Sequence, residues 1–282
     1  MVKRHFGMSF GLYLQTLIKL RKMKKLLLIS GLLVVAATSA VAQTASYRKV
    51  NNTAFKRGEE LKFRLHYGAV NAGEAVVKVD ETRKVIAGRP TMHIVANGYS
   101  KGAFDWFFRV RDYFESYVDE EALIPWLFMR RCDEGGFKIN QNQTFNHQAG
   151  QVNSSGKMLT VPKNIQDMVS SFYYARTMDY SKAKKGDLFE VKTFMDDEIW
   201  DLKIKFVGRE TIKTDLGNIA CMKFVPVVQK GRVFKKEDDL HIWISDDANK
   251  IPVRVEAQIL VGSVKMDITS AKGLAVPLKT TK

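Results

Sequence analysis

Beyond residue 55 the chain alternates apolar and polar residues with a period of two. Leu61, Phe63, Leu65 and Tyr67 alternate with Lys62, Arg64 and His66, which predicts a half-buried strand. Gly68 to Gly73 turns the chain into a second strand over Glu74–Thr82, where Ala75, Val77 and Val79 share a face. The turn Ile86-Ala-Gly-Arg-Pro90 leads to a third strand carrying Met92, Ile94 and Ala96. Short Gly-bearing connections of this kind predict an antiparallel meander. The pattern resumes over Val110–Val118, Trp126–Arg131 and Phe137–Phe145. It returns over Leu188–Met195, Ile199–Val207, Ile219–Val228, His241–Ser245, Pro252–Val261 and Ser263–Thr269, with Gly262 as the reversal between the last two.

Three intervals depart from the alternation. Ser100–Phe108 packs Phe104, Trp106, Phe107 and Phe108 into a short run, and it predicts a short helix or tucked loop acting as a flap or plug at one mouth of the sheet. Asn146–Gly156 is polar and rich in Gly, Ser and Asn, which predicts an exposed hairpin tip. Pro162–Tyr180 carries Ile165, Met168, Val169 and Phe172 at i, i+3, i+4 and i+7, with Asn164 placed to cap. That spacing predicts one main helix over about 164–178.

About a dozen strands and one helix exclude a doubly wound α/β fold, because the βαβ alternation is missing. The pattern predicts a mainly β protein: a large curved antiparallel sheet or open half-barrel, its concave face covered by the helix. Incomplete packing between helix and sheet would leave an apolar cavity. Phe104, Trp106, Phe107, Phe108, Trp126, Phe128, Trp200 and Trp243 are the aromatic candidates to line or close it, with ordinary core filling as the competing role.

The N-terminal region changes the picture of where the chain works. Lys24 and Lys25 precede the apolar run Leu26–Ala37, and Ala40-Val-Ala42 supplies the small residues of a cleavage site. This predicts a secretory signal cut after Ala42, its apolar run falling short of the ~20 residues of a membrane span. The true start is expected at Met23. The expected organisation is a signal region 1–42, an N-terminal tail 43–54, a single β-rich domain 55–273 and a C-terminal tail 274–282. The expected location is the bacterial periplasm, with the mature chain soluble and without a transmembrane span.

Removing residues 1–42, which hold seven basic and no acidic residues, lowers the net charge from +15 to +8. A modest basic excess leaves peripheral membrane contact open. It does not indicate nucleic-acid binding, since the mature chain has no zinc finger, RNP-like run or Lys/Arg block. Cys132 and Cys221 admit two readings: a disulfide suited to an oxidising compartment, or two separate half-buried thiols on different strands.

The mature chain contains no Gly-x-Ser-x-Gly, His-Glu-x-x-His or Cys-x-x-Cys motif. His66, His93 and His241 interleave with apolar strand neighbours, and His147 stands apart. The acidic runs Asp196–Glu198, Glu237–Asp239 and Asp246-Asp247 read as turns rather than cation loops. Asp112, Glu115 and Asp119 read as strand-face charge rather than a glycosidase pair. No catalytic residue, metal or cofactor is expected.

Several phrases together resemble a known family. They are Arg57-Gly-Glu-Glu-Leu-Lys-Phe63 with His66-Tyr-Gly and Asn71-Ala-Gly-Glu74, then Gln166-Asp-Met-Val-Ser-Ser-Phe-Tyr-Tyr-Ala-Arg176, then His241–Glu256 running into Val261-Gly-Ser-Val264. This resembles the exported bacterial proteins of domain of unknown function 3108, over about Phe55–Gly273. The resemblance implies no catalytic residues. The stretch Trp243–Glu256 is also similar to a feature of open β-barrel lipoprotein carriers of the periplasm, a likeness at the level of fold. The leading expectation is a non-enzymatic periplasmic protein that binds an apolar or amphipathic, lipid-like ligand. The alternatives are an envelope scaffold with a solid core and a protein partner, and an envelope hydrolase.

Overall fold

The computed structural model describes residues 46–68, 70–227, 239–258 and 263–281. The signal region 1–42, the Val228 end of one predicted strand, most of the Glu237–Asp239 turn and the Gly262 reversal lie outside the described residues. The strands are β1 (Glu60–Tyr67), β2 (Val70–Val79), β3 (Lys84–Ile86), β4 (Arg89–Ser100), β5 (Val110–Asp119), β6 (Pro125–Glu134), β7 (Phe137–Asn146), β8 (Gln151–Ser154), β9 (Lys157–Thr160), β10 (Leu188–Met195), β11 (Glu198–Thr214), β12 (Gly217–Pro226), β13 (Leu240–Ser245), β14 (Pro252–Gln258) and β15 (Ser263–Lys272). A short helix, Gly102–Phe107, follows β4, and a longer one, Met168–Ala175, follows β9.

All fifteen strands join one antiparallel sheet in the order β10-β11-β12-β13-β14-β15-β1-β2-β4-β5-β6-β7-β8-β9, with β3 appended to β4. The chain meanders outward from β1 to β9, crosses once through the helix Met168–Ala175, and meanders back from β10 until β15 pairs with β1. The two free edges, β9 and β10, are therefore neighbours in sequence. Such a long sheet curls, because every strand pair adds twist of the same hand.

The curl brings parts of the two edges close without pairing them. Asp196 and Asp197 form the β10–β11 turn, both with positive φ (53° and 63°), the conformation a tight hairpin demands and Asp tolerates. Asp196 accepts a hydrogen bond from Arg130 at 2.7 Å, and Asp197 accepts one from Gln141 at 3.3 Å. Lys157 of β9 stands 3.7 Å from Asp197. The acidic run is indeed a turn, and it latches one sheet edge to the other.

The main helix begins later and is shorter than its spacing predicts. Gln166 is held extended by a bridge to Thr193, and Asn164 sits at φ 61°, so neither enters the helix. Asp167 caps it instead. Its Oδ1 accepts from the backbone N–H of Val169 and Ser170, both at 2.7 Å, while its own N–H donates to Ser170 Oγ at 2.8 Å. Ile165 belongs to the apolar pattern because it is buried, though its backbone is not helical. The polar stretch 146–156, expected as an exposed hairpin tip, carries a strand of its own. This is β8, where Val152 and Ser154 are buried and Gln151 and Asn153 face outward or halfway, so alternation persists under a polar composition. β11 runs past its predicted end through a bulge between Phe206 and Gly208.

Core packing follows the two halves of the sheet. One cluster joins β2 and β4–β8 with Phe55 and the helix residues Val169 and Tyr173; another joins β1 and β11–β15. Segments predicted as tails are tied to the domain. Arg48 donates to the carbonyls of Ala122 and Leu123, and Thr281 pairs with Asn218.

Asp167 is fully buried, with Ser116 Oγ donating to its Oδ2 at 2.5 Å. Burial pushes its pKa up to about 6, against hydrogen bonds from Ser116, Ser170 and Val169 that act in the opposite direction. A carboxyl raised in the folded state holds its proton after the unfolded chain has lost one. Its stabilisation is therefore complete below about pH 4 and is lost as pH rises towards 6, by roughly 3 kcal/mol. Asp167→Asn flattens that window in pH-dependent urea denaturation. An unchanged slope would place the titrating group elsewhere.

Candidate ligand cavity

Alternation builds an apolar row across the second half of the sheet. Phe206 pairs with Phe224, Phe224 with Ile242, Ile242 with Val255, Val255 with Met266, and Met266 with Leu65 of β1. Residues paired across strands share a face, so this row presents one continuous apolar surface to the concave side. The helix Met168–Ala175 covers it only in part. Between them lies a cavity of about 420 Å³.

Its sheet wall includes Ala75, Val77, Ile204, Phe224, Ile242 and Met266, and its helix wall includes Phe172 and Ala175. The two alanines leave room that larger residues would fill. At the rim, Leu202 and Val227 are both exposed, so the apolar lining continues to the surface. Lys203 is the lining cation at that rim, 3.6 Å from Glu190.

Two polar groups on the helix wall are already satisfied. Ser171 Oγ donates to the carbonyl of Met168 at 2.9 Å. Arg176 is fully buried and makes four hydrogen bonds: to Glu59 Oε1 and Oε2 at 2.6 and 2.7 Å, to the carbonyl of Asn249 at 3.0 Å, and to that of Ala54 at 3.1 Å. Tyr173 donates to the same Glu59 at 3.3 Å, and burial raises its pKa. The wall thus offers an apolar guest no unpaired charge from the helix.

The aromatic residues expected at the site are placed elsewhere. Trp243 lies on the face opposite Ile242 and Ile244, as strict alternation requires, and donates to Glu210 at 2.6 Å. Phe128 is buried in the first core cluster, and Trp126 donates to the buried Asp119 at 3.2 Å. Trp200 shares the strand face of Leu202 but donates to the Met195 carbonyl at 3.2 Å, outside the lining. Phe104, Trp106, Phe107 and Phe108 form or adjoin the short helix, as its composition predicts, yet none lines the cavity. Trp106 and Phe107 face solvent at 81% and 77% exposure, so the segment neither plugs the sheet nor fills the core.

Cys132 and Cys221 are buried free thiols on β6 and β12, with β13, β14, β15, β1, β2, β4 and β5 between those strands. The disulfide reading gives way to that of two separate residues. Burial raises both thiols, Cys221 to about 12. Asp112, Cys132 and Glu134 bring possible ligand atoms within 4.8 Å of one another. Burial, then the Asp112 charge, raises the Glu134 pKa, while Arg130 opposes it.

Among the histidines, His93 meets carboxylates. Its Nε2 is 2.8 Å from Glu115 and its Nδ1 3.4 Å from Asp80, and its ring stacks on Tyr117 at 4.4 Å. These groups lie outside the cavity lining. Two other hollows, of about 440 and 680 Å³, are lined mostly by polar and charged residues; the larger crosses β4–β7 beside Tyr99, Arg111, Tyr113 and Arg131.

The family described as Protein of unknown function (DUF3108) matches residues 62–269. A search of curated proteins finds no match. Among solved structures, a β-barrel-like protein of domain of unknown function DUF1849 from Brucella abortus is similar, with 10% identity, a TM-score of 0.51, and 80% of this chain and 99% of that chain covered. A Bacteroides fragilis protein with a YmcC-like fold follows at 13% identity and TM-score 0.31, covering 80% of this chain and 100% of that one. Protein CT021 of Chlamydia trachomatis follows at 6% identity and TM-score 0.36, with 82% and 94% covered. The Brucella likeness shows the fold alone.

Proposed function

This chain belongs to the DUF3108 family of proteins of unknown function, and on that premise we propose that it is an exported, non-enzymatic protein that carries an apolar or amphipathic, lipid-like ligand in its concave cavity. The observation that carries this reading is the cavity itself. Its volume of about 420 Å³ falls within the ~300–1,000 Å³ of ligand sites, and its walls are almost wholly apolar. A sheet of this length could bury the same side chains against one another. Instead the helix, through its small Ala175, stands over Ala75 of β2 and leaves a hollow that opens at Leu202 and Val227.

An acyl chain suits such a site, because each buried methylene gains ~0.8 kcal/mol. Lys203 at the rim suits an anionic head group left in water. Export is supported by the Lys24-Lys25 and Ala40-Val-Ala42 signal pattern. Among the described residues no helix is long and apolar enough to cross a membrane.

The test is binding of 1-N-phenylnaphthylamine to delipidated protein. Saturable fluorescence enhancement at one site, reversed by palmitate, is the expected result. A signal no larger than that of a protein without a cavity would refute the carrier reading.

A further inference from the structure

We infer that the rim around the cavity mouth is a membrane-docking surface, led by Trp106 and Phe107 and seated in the interfacial layer of a lipid bilayer. The inference rests on the carrier reading for its purpose, although its test reads out separately.

Strand direction puts these features together. Every neighbour in the sheet is antiparallel, so β4, β6 and β12 all end on the rim where β2, β7 and β11 begin. The aromatic helix after β4, the β6–β7 turn before Phe137, and the mouth residues Leu202 and Val227 therefore share one rim. Val70, Trp106, Phe107, Phe108, Phe137 and Ile199 are exposed apolar residues on it.

The exposure is built into the fold. Asp105 accepts two hydrogen bonds from Arg111, at 2.7 and 3.1 Å, and one from Ser100 Oγ, which itself accepts from the Val110 N–H at 2.7 Å. Arg111 and Ser100 hold the Asp105 carboxyl down to about 2, so this clamp persists at any physiological pH. Phe104 turns inward against Tyr67, at 6.1 Å between ring centres. Phe108 lies over Gly135, whose φ is 62° and whose missing Cβ would fall 2.4 Å from the ring. Trp106 and Phe107 remain outside, edge to face at 4.6 Å.

Area and charge both favour lipid over a protein partner. With exposures of 81%, 77%, 45% and 67%, Trp106, Phe107, Phe108 and Phe137 offer roughly 400–700 Å² between them, at ~150–250 Å² per aromatic side chain. A standard protein interface needs ~800 Å² from each partner, with a complementary shape. A bilayer interface demands no such shape, and Trp and other aromatic rings favour it. Lys101 is paired with Glu74 at 2.6 Å and Arg111 with Asp105, which leaves Arg109 as the exposed cation beside the rings, so attraction here is mainly apolar. Docking therefore depends only weakly on salt and needs no anionic lipid, since one exposed arginine is far short of a basic patch. With the mouth on the same rim, a ligand would pass between bilayer and cavity without crossing open water.

The experiment is flotation of the envelope-purified protein with phosphatidylcholine vesicles at low and high salt. The wild-type chain should float at both. The double variant Trp106→Ala/Phe107→Ala should bind about tenfold less per ring removed, or weaker, with an unchanged melting curve. Trp106→Phe should keep binding but lose the quenching of tryptophan fluorescence by brominated lipid. Absence of wild-type flotation, equal flotation of the double variant, or a photo-crosslinker at Phe107 that captures one protein in place of lipid would each overturn docking. Lipid content of the same preparations reports on the cavity independently: flotation without bound lipid would sink the carrier reading and leave docking standing.

Discussion

Replacing Glu59 with alanine lowers the unfolding free energy by about 3–5 kcal/mol, the loss expected when one partner of a buried ion pair is removed. Arg176 would be left fully buried without its carboxylate partner, facing the rings of Phe55 and Tyr173 at 5.2 and 5.0 Å. The pair also ties segments far apart in sequence. Through one guanidinium the end of the main helix holds the Ala54 carbonyl before β1, Glu59 beside it, and the Asn249 carbonyl between β13 and β14. Arg176→Ala should cost a similar amount, whereas the double change Glu59→Leu/Arg176→Met should recover most of the loss, since no charge is left stranded. Urea denaturation of the three variants measures this. Single-variant losses below about 1 kcal/mol would mean that the pair is not buried as described.

Ala75→Trp abolishes ligand retention while leaving the fold intact. Ala75 faces the hollow from β2, opposite the helix, so an indole there occupies the guest's volume. Small-to-large changes in packed cores cost ~1–3 kcal/mol, and a site with free volume should sit at the lower end. Phenylnaphthylamine titration and thermal melts of the same preparation separate the two effects. Retained binding would move the ligand out of this cavity.

Much of this architecture is legible in the sequence because a half-buried strand must alternate. The residues of the apolar row lie in strands that the pattern marks. The hollow is not legible, since periodicity shows which residues face inward but not whether the helix reaches them. Size misled where alternation should have governed: Trp243 lies between Ile242 and Ile244 and must point away from them. Hydrophobicity misled again at Trp106 and Phe107, where burial was expected and the clamp at Asp105 holds the rings in water. The cap moved from Asn164 to Asp167 because a bridge from Gln166 to β10 keeps the preceding backbone extended, a tertiary contact invisible to local spacing. Nothing local marks Arg176 as buried, because its partner Glu59 lies far away in sequence.

The most direct measurement is native mass spectrometry of protein freshly purified from the cell envelope, with solvent extraction of the same sample. The wild-type chain should carry one adduct of lipid mass, recovered in the extract and missing from Ala75→Trp. A wild-type spectrum showing only the bare polypeptide mass, with an extract free of lipid, would contradict the carrier reading.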